Sequence, residues 1–145
     1  MPRDTARKTA KLVLDSKNVI ISAPASVGIV SKVLEAIEGQ SLKVVHLDLA
    51  TPAGIYFGSD SLVGAEIWMK ISKDFLDADV IVLSSAERLT KYSAAVVEKL
   101  LRDKRVYGTW LPKLKSVVAI FYGDPSDNAP QLTGVFNTQR LKVYN

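Results

Sequence analysis

The sequence predicts an α/β fold with three layers (α/β/α), in which helices cover both faces of a mostly parallel, five-stranded sheet. Short apolar runs rich in β-branched residues recur along the chain. They are continuous rather than alternating, which is typical of strands covered on both faces. Amphipathic helical patterns separate them, and this alternation is typical of α/β sheets. We therefore expect one domain over residues 1–145, with an N-terminal helix within 1–16 and a core over 17–145.

Four apolar runs predict four strands, and a weaker run near the end of the sequence predicts a fifth. The four runs are residues 19–21, 44–45, 80–83 and 117–121, and the weaker one is 141–144. Loops are predicted over about 49–60, 104–114 and 123–131.

Helices are predicted between these strands. The first covers about 4–15, and the others show apolar residues at one-face spacing. Their apolar positions are Ile29, Val33 and Ile37; Val63, Ile67, Ile71 and Phe75; and Val96, Val97, Leu100 and Leu101. Gly39 is a stop signal for the second helix, and Thr90 and Ser93 are candidate caps for the last.

Composition excludes several classes of site. The chain has no cysteine and one histidine, His46, which rules out disulfides, thiolate metal sites, a cysteine nucleophile and multi-histidine metal centres. The pattern around His46 favours a hydrogen-bonded structural role. Trp68 and Trp110 are predicted to be core or interface anchors. No apolar run reaches the ~18 residues of a membrane span, and no signal-peptide pattern is present, so we expect a cytoplasmic protein that does not bind membranes.

Charge is unevenly distributed although the net charge is only +4. Residues 1–17 and 99–115 are basic, whereas 34–90 are acidic. This pattern fits a solvated surface, a self-complementary surface or a phosphate-binding stripe. The candidate basic patch consists of Lys99, Arg102, Lys104, Arg105, Lys113 and Lys115.

The turn after the first predicted strand lies where open parallel sheets bind ligands. It reads Ala23-Pro24-Ala25-Ser26-Val27-Gly28-Ile29-Val30. Phosphate-binding loops have the form G-x-x-x-x-G-K-[ST], in which amides and Lys hold phosphates and Ser/Thr holds Mg²⁺. The chain keeps Gly28 and the spacing, but Ala23, Ile29 and Val30 replace the first Gly, the Lys and the Ser/Thr.

Four further segments follow in order. The strand 80–83 is followed by Ser84-Ser85, and a helical segment runs from Arg88 to Val106. A strand then ends at Asp124-Pro125, and Gln139-Arg140-Leu141 comes near the last predicted strand.

With the phosphate-loop segment, these features resemble the core subdomain of an AAA+ ATPase, most closely the MoxR-type branch, over about residues 15–145. That family usually has G-P-P-G-T-G-K-T at the loop, which Pro24 matches. It also has Asp-Glu after the acidic-motif strand, Asn-Pro where Asp124-Pro125 stands, and an Arg before the last strand that reaches a neighbouring subunit's ATP site. The resemblance implies that Arg140 is such an inter-subunit arginine. It also implies a short hairpin, which would lie in 107–114.

The resemblance also implies that catalysis is lost. ATP hydrolysis needs charge at the transferring phosphate, bound Mg²⁺ and an oriented water, but the corresponding positions hold Ile29, Val30, Ser84 and Ser85. Lys32 could replace the missing Lys and Glu87 the missing acid, although a solvent-facing Lys and a helix-capping Glu are the simpler interpretations. The family's helical lid would follow the fifth strand, and we expect it to be missing.

We therefore predict no catalytic residue, no metal site and no cofactor, and interpret the chain as an inactive AAA+-like domain that acts through protein contacts as a structural or adaptor subunit. Its partner would be a second copy or an active AAA+ ATPase. One alternative is residual binding of ATP with Mg²⁺, with weak or no hydrolysis, at the amides near Gly28. Another is a nucleic-acid-binding accessory role for the two basic segments.

Overall fold

A parallel sheet organises the part of the chain that the computed structural model describes, which is residues 2–25, 28–59, 61–124, 129–132 and 134–144. Within those residues the sheet has five strands in the order β2-β3-β6-β1-β7, and every neighbouring pair is parallel. A small antiparallel hairpin, β4–β5, stands apart from it. The strands are β1 (Asn18–Ser22), β2 (Val44–Asp48), β3 (Val80–Ser84), β4 (Arg105–Val106), β5 (Thr109–Trp110), β6 (Ser116–Phe121) and β7 (Thr138–Lys142).

Helices cover both faces of the sheet, which confirms the predicted three-layer α/β class. They are α1 (Pro2–Leu14), α2 (Ile29–Glu38), α3 (Pro52–Tyr56), α4 (Leu62–Leu76) and α5 (Lys91–Asp103). Two short 3₁₀ turns lie at Ala86–Arg88 and Pro130–Leu132. Among these described helices none is long and apolar enough to cross a membrane.

Alternating strand side chains build two cores, one on each face. The core under α1 and α2 includes Val19, Ile21, Val82, Val118 and Ile120. The core under α4 and α5 includes Ile20, Ile81, Leu83, Ala119 and Phe121. Since each buried Val, Leu, Ile or Phe contributes about 1.5–3 kcal/mol, the continuous apolar runs of β1, β3 and β6 stabilise both layers at once.

Polar caps begin the helices on the second face. Thr90 and Ser93 form a reciprocal capping box at the start of α5, as the sequence predicts. Ser61 accepts a hydrogen bond from the Gly64 amide at the start of α4, and Thr51 does the same for Gly54 in α3. Gly39 ends α2, as predicted, but in a right-handed conformation.

Three predicted boundaries are wrong. The loop 49–60 contains α3, because the Thr51 cap is followed by Pro52, which favours the first turn of a helix. The hairpin begins at Arg105, within the segment predicted as the loop 104–114 and two residues before the predicted hairpin region. The last strand is Thr138–Lys142 rather than 141–144, because its polar first half pairs through its backbone with β1.

The inner face of α4 also differs from the predicted one. Phe75 is buried as expected, but Val63 is 44% exposed, and Gly64 and Trp68 face the core. Trp68 packs edge-on against Phe75 with ring centroids 5.6 Å apart.

Candidate functional site

The predicted phosphate loop joins β1 to α2 at the carboxyl edge of the sheet. Ser26 and Val27 lie outside the described residues. Ile29 is completely buried in the core under α1 and α2, and Val30 packs partly against that core. Two positions that would carry a phosphate-binding ammonium and a Mg²⁺-binding hydroxyl therefore hold aliphatic core side chains.

Gly28 shapes the beginning of α2. Its φ of 62° is left-handed, a conformation that glycine adopts without strain. As the N-cap residue of α2, Gly28 has no side chain with which to cap the helix. The Nζ atom of Lys32 lies 3.8 Å from the position that a Cβ on Gly28 would take. The Lys32 ammonium thus lies beside the positive, N-terminal end of α2. An anion bound between the two would be stabilised by both.

A cavity of about 410 Å³ opens beside the described part of this loop. It is lined by Ser22, Ala23, Pro24, Ala25, Tyr122, Gly123, Asp124, Lys142 and Val143. The charged residues in this lining are one acid, Asp124, and one base, Lys142. These two charges cancel, so the lining has no net positive charge to offset the several negative charges of a nucleoside triphosphate.

Ser84 is the last residue of β3, the acidic-motif strand, and Ser85 follows it at the same edge; both are buried. The Ser84 Oγ atom lies 2.8 Å from His46 Nε2 on the neighbouring strand β2. The Ser85 hydroxyl donates to the Asp48 carboxylate. These hydroxyls are therefore held by neighbouring side chains, and His46 has the hydrogen-bonded environment that the sequence predicts.

Local contacts shift the pKa values of Asp48 and His46, the two titratable residues that bond to these serines. The Ala50 amide, 3.0 Å from Asp48 Oδ1, does most to lower the pKa of Asp48, and the Ser85 hydroxyl, His46 and Arg88 lower it further. Burial lowers the pKa of His46, while the charge of Asp48 opposes that shift. Near neutral pH, Asp48 is therefore a carboxylate and the neighbouring His46 is a neutral imidazole.

Glu87, the candidate replacement for the missing catalytic acid, bonds to the protein backbone. Its Oε1 atom accepts a hydrogen bond of 3.0 Å from the Tyr122 amide just after β6. Burial, followed by the charges of Asp48 and Glu87, raises the pKa of Tyr122. Nowhere in the described residues do three or more His, Cys, Asp or Glu side chains form a group that could hold a metal ion.

Sequence reasoning did not single out Asp48 or Tyr122. The available signal was their position at the ends of apolar runs, because parallel strands bring their carboxyl ends to one edge. Pro125, Ser126, Asp127 and Asn128 of the predicted turn lie outside the described residues.

Arg140 lies inside β7, where it pairs in register with Ile20 of β1. It is exposed and lines a second cavity of about 280 Å³ together with Asp124 and Lys142. The resemblance implied an arginine ahead of the last strand, whereas the structure places this one within it. Its inter-subunit role stays a prediction.

The two basic segments lie on different faces of the sheet. Helix α1 packs on one core and α5 on the other, so their cations do not form a single stripe. On the α1 side a groove of about 740 Å³ between α1 and α2 has four cationic residues and one acidic residue in its lining. These residues are Arg3, Arg7, Lys11, Lys32 and Glu35.

Several members of the candidate patch at 99–115 have local partners. Arg102 pairs with Glu98 at 2.5 Å and Asp103 at 3.5 Å, while Lys113 Nζ lies 2.7 Å from Asp77. Arg105 donates to the Gly108 carbonyl, and Lys104 ends α5. Lys99 lines a cavity with Arg105, and the Lys115 amide donates to the Asp79 carbonyl. Nucleic-acid binding by these residues stays a prediction.

The chain has an α/β fold with a mostly parallel five-stranded sheet across the described residues, and three solved structures share this fold. The solved structure of a DNA replication initiation factor is similar over 94% of this chain and 44% of its own, with a TM-score of 0.61 and 9% identity. A variant of RuvB from Thermotoga maritima is similar over 99% of this chain and 47% of its own, with a TM-score of 0.59 and 11% identity.

NtrX from Brucella abortus, solved in complex with ATP, is a third similar structure. It covers 99% of this chain and 37% of its own, with a TM-score of 0.58 and 13% identity. The chain thus spans less than half the length of each of these three solved chains. The sequence matches no protein-family model, and no curated protein is significantly similar to it. At these identities the likeness establishes the fold alone.

Proposed function

We propose that this chain is a P-loop-type domain that does not hydrolyse ATP and acts through protein contacts, as a structural or adaptor subunit. One observation carries the proposal: four positions where hydrolysis requires charged or metal-binding groups are committed to structural contacts. Ile29 and Val30 pack into the core, while Ser84 and Ser85 bond to neighbouring side chains on β2.

The expected effect on catalysis is large. Losing one preorganised charge-stabilising group costs about 2.7–4 kcal/mol in the transition state, or 10²–10³-fold in rate. The phosphate cation, the metal ligand and the two acids act on the same transferring phosphate, so their joint replacement leaves no arrangement for turnover. The partner in this proposal is a second copy or an active AAA+ ATPase, to which Arg140 would contribute its guanidinium.

Phosphate release at saturating ATP and Mg²⁺ tests this proposal. We expect the purified chain to release phosphate no faster than a buffer blank. Contaminating ATPases are identified with the Ser84→Ala variant, which removes the hydroxyl at the acidic-motif position. Phosphate release that follows protein concentration and changes in this variant would contradict the proposal.

The start of α2 favours a second candidate function, binding of a nucleotide phosphate without hydrolysis. The supporting observation is the Lys32 ammonium beside the start of α2, where the N-cap residue Gly28 has no capping side chain. An anion there would accept from free amides and from Lys32 together. This function is compatible with the first, because it requires no metal and no attacking water.

Calorimetric titration with ATP tests the second candidate. If Lys32 holds the phosphate, the Lys32→Ala variant binds ATP about tenfold more weakly, a loss of about 1.4 kcal/mol. The matched control is Lys99→Ala, which removes an exposed lysine from α5 on the opposite face. Equal affinities of the wild type and the Lys32→Ala variant, or no binding of ATP, would overturn the second candidate.

A further inference from the structure

The outer face of α4 carries a line of exposed apolar side chains. Leu62 is 83% exposed, Met69 77% and Leu76 39%. Their spacing of seven residues is close to two helical turns, which places them along one side of the helix. Gly64, Trp68 and Phe75 are buried on the inner side of α4. The apolar line therefore faces away from the core that holds the helix in place.

This line extends for most of the helix. From Leu62 to Leu76 it covers about 21 Å at 1.5 Å per residue. Ala65 and Ser72 follow Leu62 and Met69 by three residues, so small side chains lie beside the large ones. The alternation of three and four residues is the pattern of a helix that packs along a second helix.

Two charged residues flank the line on its other side. Glu66 and Lys73 follow Leu62 and Met69 by four residues, and both are exposed. Neither belongs to an ion pair within the described part of the chain. They lie at nearly equal distances from Met69, the central residue of α4, and carry opposite charges.

We propose that this face of α4 is an interface with a second copy of this chain, in which the two α4 helices pack antiparallel about a twofold axis near Met69. The axis would place Glu66 of each copy opposite the partner's Lys73. A parallel pair would instead place Glu66 against Glu66 and Lys73 against Lys73, which is repulsive. The antiparallel arrangement also aligns opposite ends of the two helix dipoles.

Self-complementarity identifies the occupant. A twofold interface requires the same patch to present both halves of each contact. The α4 face does this with one acid, one base and an apolar line that begins and ends in leucine. The interface rests on the proposed function in one respect, because it specifies how the second copy named there would bind. It lies on the opposite face of the sheet from α2 and its Lys32, so it does not depend on nucleotide.

Light scattering after size exclusion tests the interface. The chain has a mass of 15.8 kDa, and we expect about twice that mass for the wild type at micromolar concentrations. Met69→Glu, which places like charges at the axis, should give the monomer mass. Phe136→Glu is the matched control, because Phe136 is 92% exposed outside α4, and it should leave the dimer intact.

Charge exchange tests the antiparallel register. Glu66→Lys and Lys73→Glu should each raise the dimer dissociation constant about tenfold, the equivalent of about 1.4 kcal/mol. The double variant restores both opposite-charge pairs and should recover wild-type affinity. Circular dichroism checks that each variant is folded. A wild-type chain that is monomeric at every concentration, or a double variant as weak as the singles, overturns the proposal, whatever the ATP measurements give.

Discussion

His46 and Ser84 are single residues whose contact joins the edge strand β2 to its neighbour β3. Although His46 is exposed, burial of part of its ring lowers its pKa. Its hydrogen bond to Ser84 is made with the neutral ring beside the Asp48 carboxylate. Protonation state therefore connects pH to the stability of the β2 edge.

We predict that His46 makes the free energy of unfolding decrease as the pH is lowered. Its pKa is lower in the folded chain than the value of about 6.5 in the unfolded chain. As pH falls below 6.5, the unfolded chain takes up a proton first, so stability is lost until the folded pKa is passed. The melting temperature of the wild type should decrease between pH 7.5 and 5.5, in part because of His46. The His46→Gln variant lacks this group, so its melting temperature should decrease less. Equal decreases in both proteins would contradict this origin.

Asn18 is a second residue on which several elements depend. It is buried, its Nδ2 atom donates to the Leu101 carbonyl at 3.0 Å, and its Oδ1 atom accepts from the Val117 amide at 3.1 Å. Asn18→Ala would leave buried backbone groups of α5 and β6 without these partners. We expect a loss of about 2 kcal/mol or more in the free energy of unfolding.

Urea denaturation measures this loss. Ser31→Ala is the matched control, because Ser31 is exposed and donates locally to the Gly28 carbonyl; it should change stability by less than about 0.5 kcal/mol. A loss for Asn18→Ala no larger than for this control would refute the bridging role.

At the level of elements, the short helix α3 depends on a close approach between Gly54 and the end of β2. A Cβ on Gly54 would stand 2.2 Å from the Asp48 carbonyl oxygen and 2.4 Å from the Leu49 Cα. These are backbone atoms, so they cannot move aside as a flexible side chain can. Glycine is needed here to pack α3 against the sheet.

Gly54→Ala should therefore destabilise the chain by about 1–3 kcal/mol, the usual cost of overpacking. Gly134→Ala is the control, since a Cβ there would meet nothing within 4 Å. Thermal unfolding of the two variants measures the difference. A melting temperature for Gly54→Ala equal to that of the control would show that α3 can shift without cost.

The sequence predicted strands correctly where buried side chains produce a hydrophobic pattern. It placed a strand wrongly where the strand is defined by its backbone pairing. Residues 80–83 and 117–121 became central strands because their apolar side chains fill both cores. In contrast, β7 begins with Thr138, Gln139 and Arg140, whose pairing with β1 is made by backbone groups that leave no hydrophobic pattern. The short α3 is defined by a cap and a proline, and five residues are too few for periodicity.

At the scale of the whole molecule, strand order decides which residues meet. Because β6 lies between β1 and β3, the predicted phosphate loop and Ser84 lie at the ends of strands that are not neighbours. Sequence order does not reveal this arrangement, so it could not predict that Glu87 would bond to the Tyr122 amide. The site positions were predicted from motif spacing, whereas their partners required the assembled sheet.

Single-turnover hydrolysis is the most direct test of the account, in which a P-loop-type fold has its catalytic positions committed to structural contacts. The chain is mixed in excess with a trace of γ-labelled ATP and Mg²⁺, so that one cleavage per site is detected. We predict no labelled phosphate above the blank. Release of labelled phosphate that is lost in the Lys32→Ala variant would contradict the account, because it would place a working catalytic site at the start of α2.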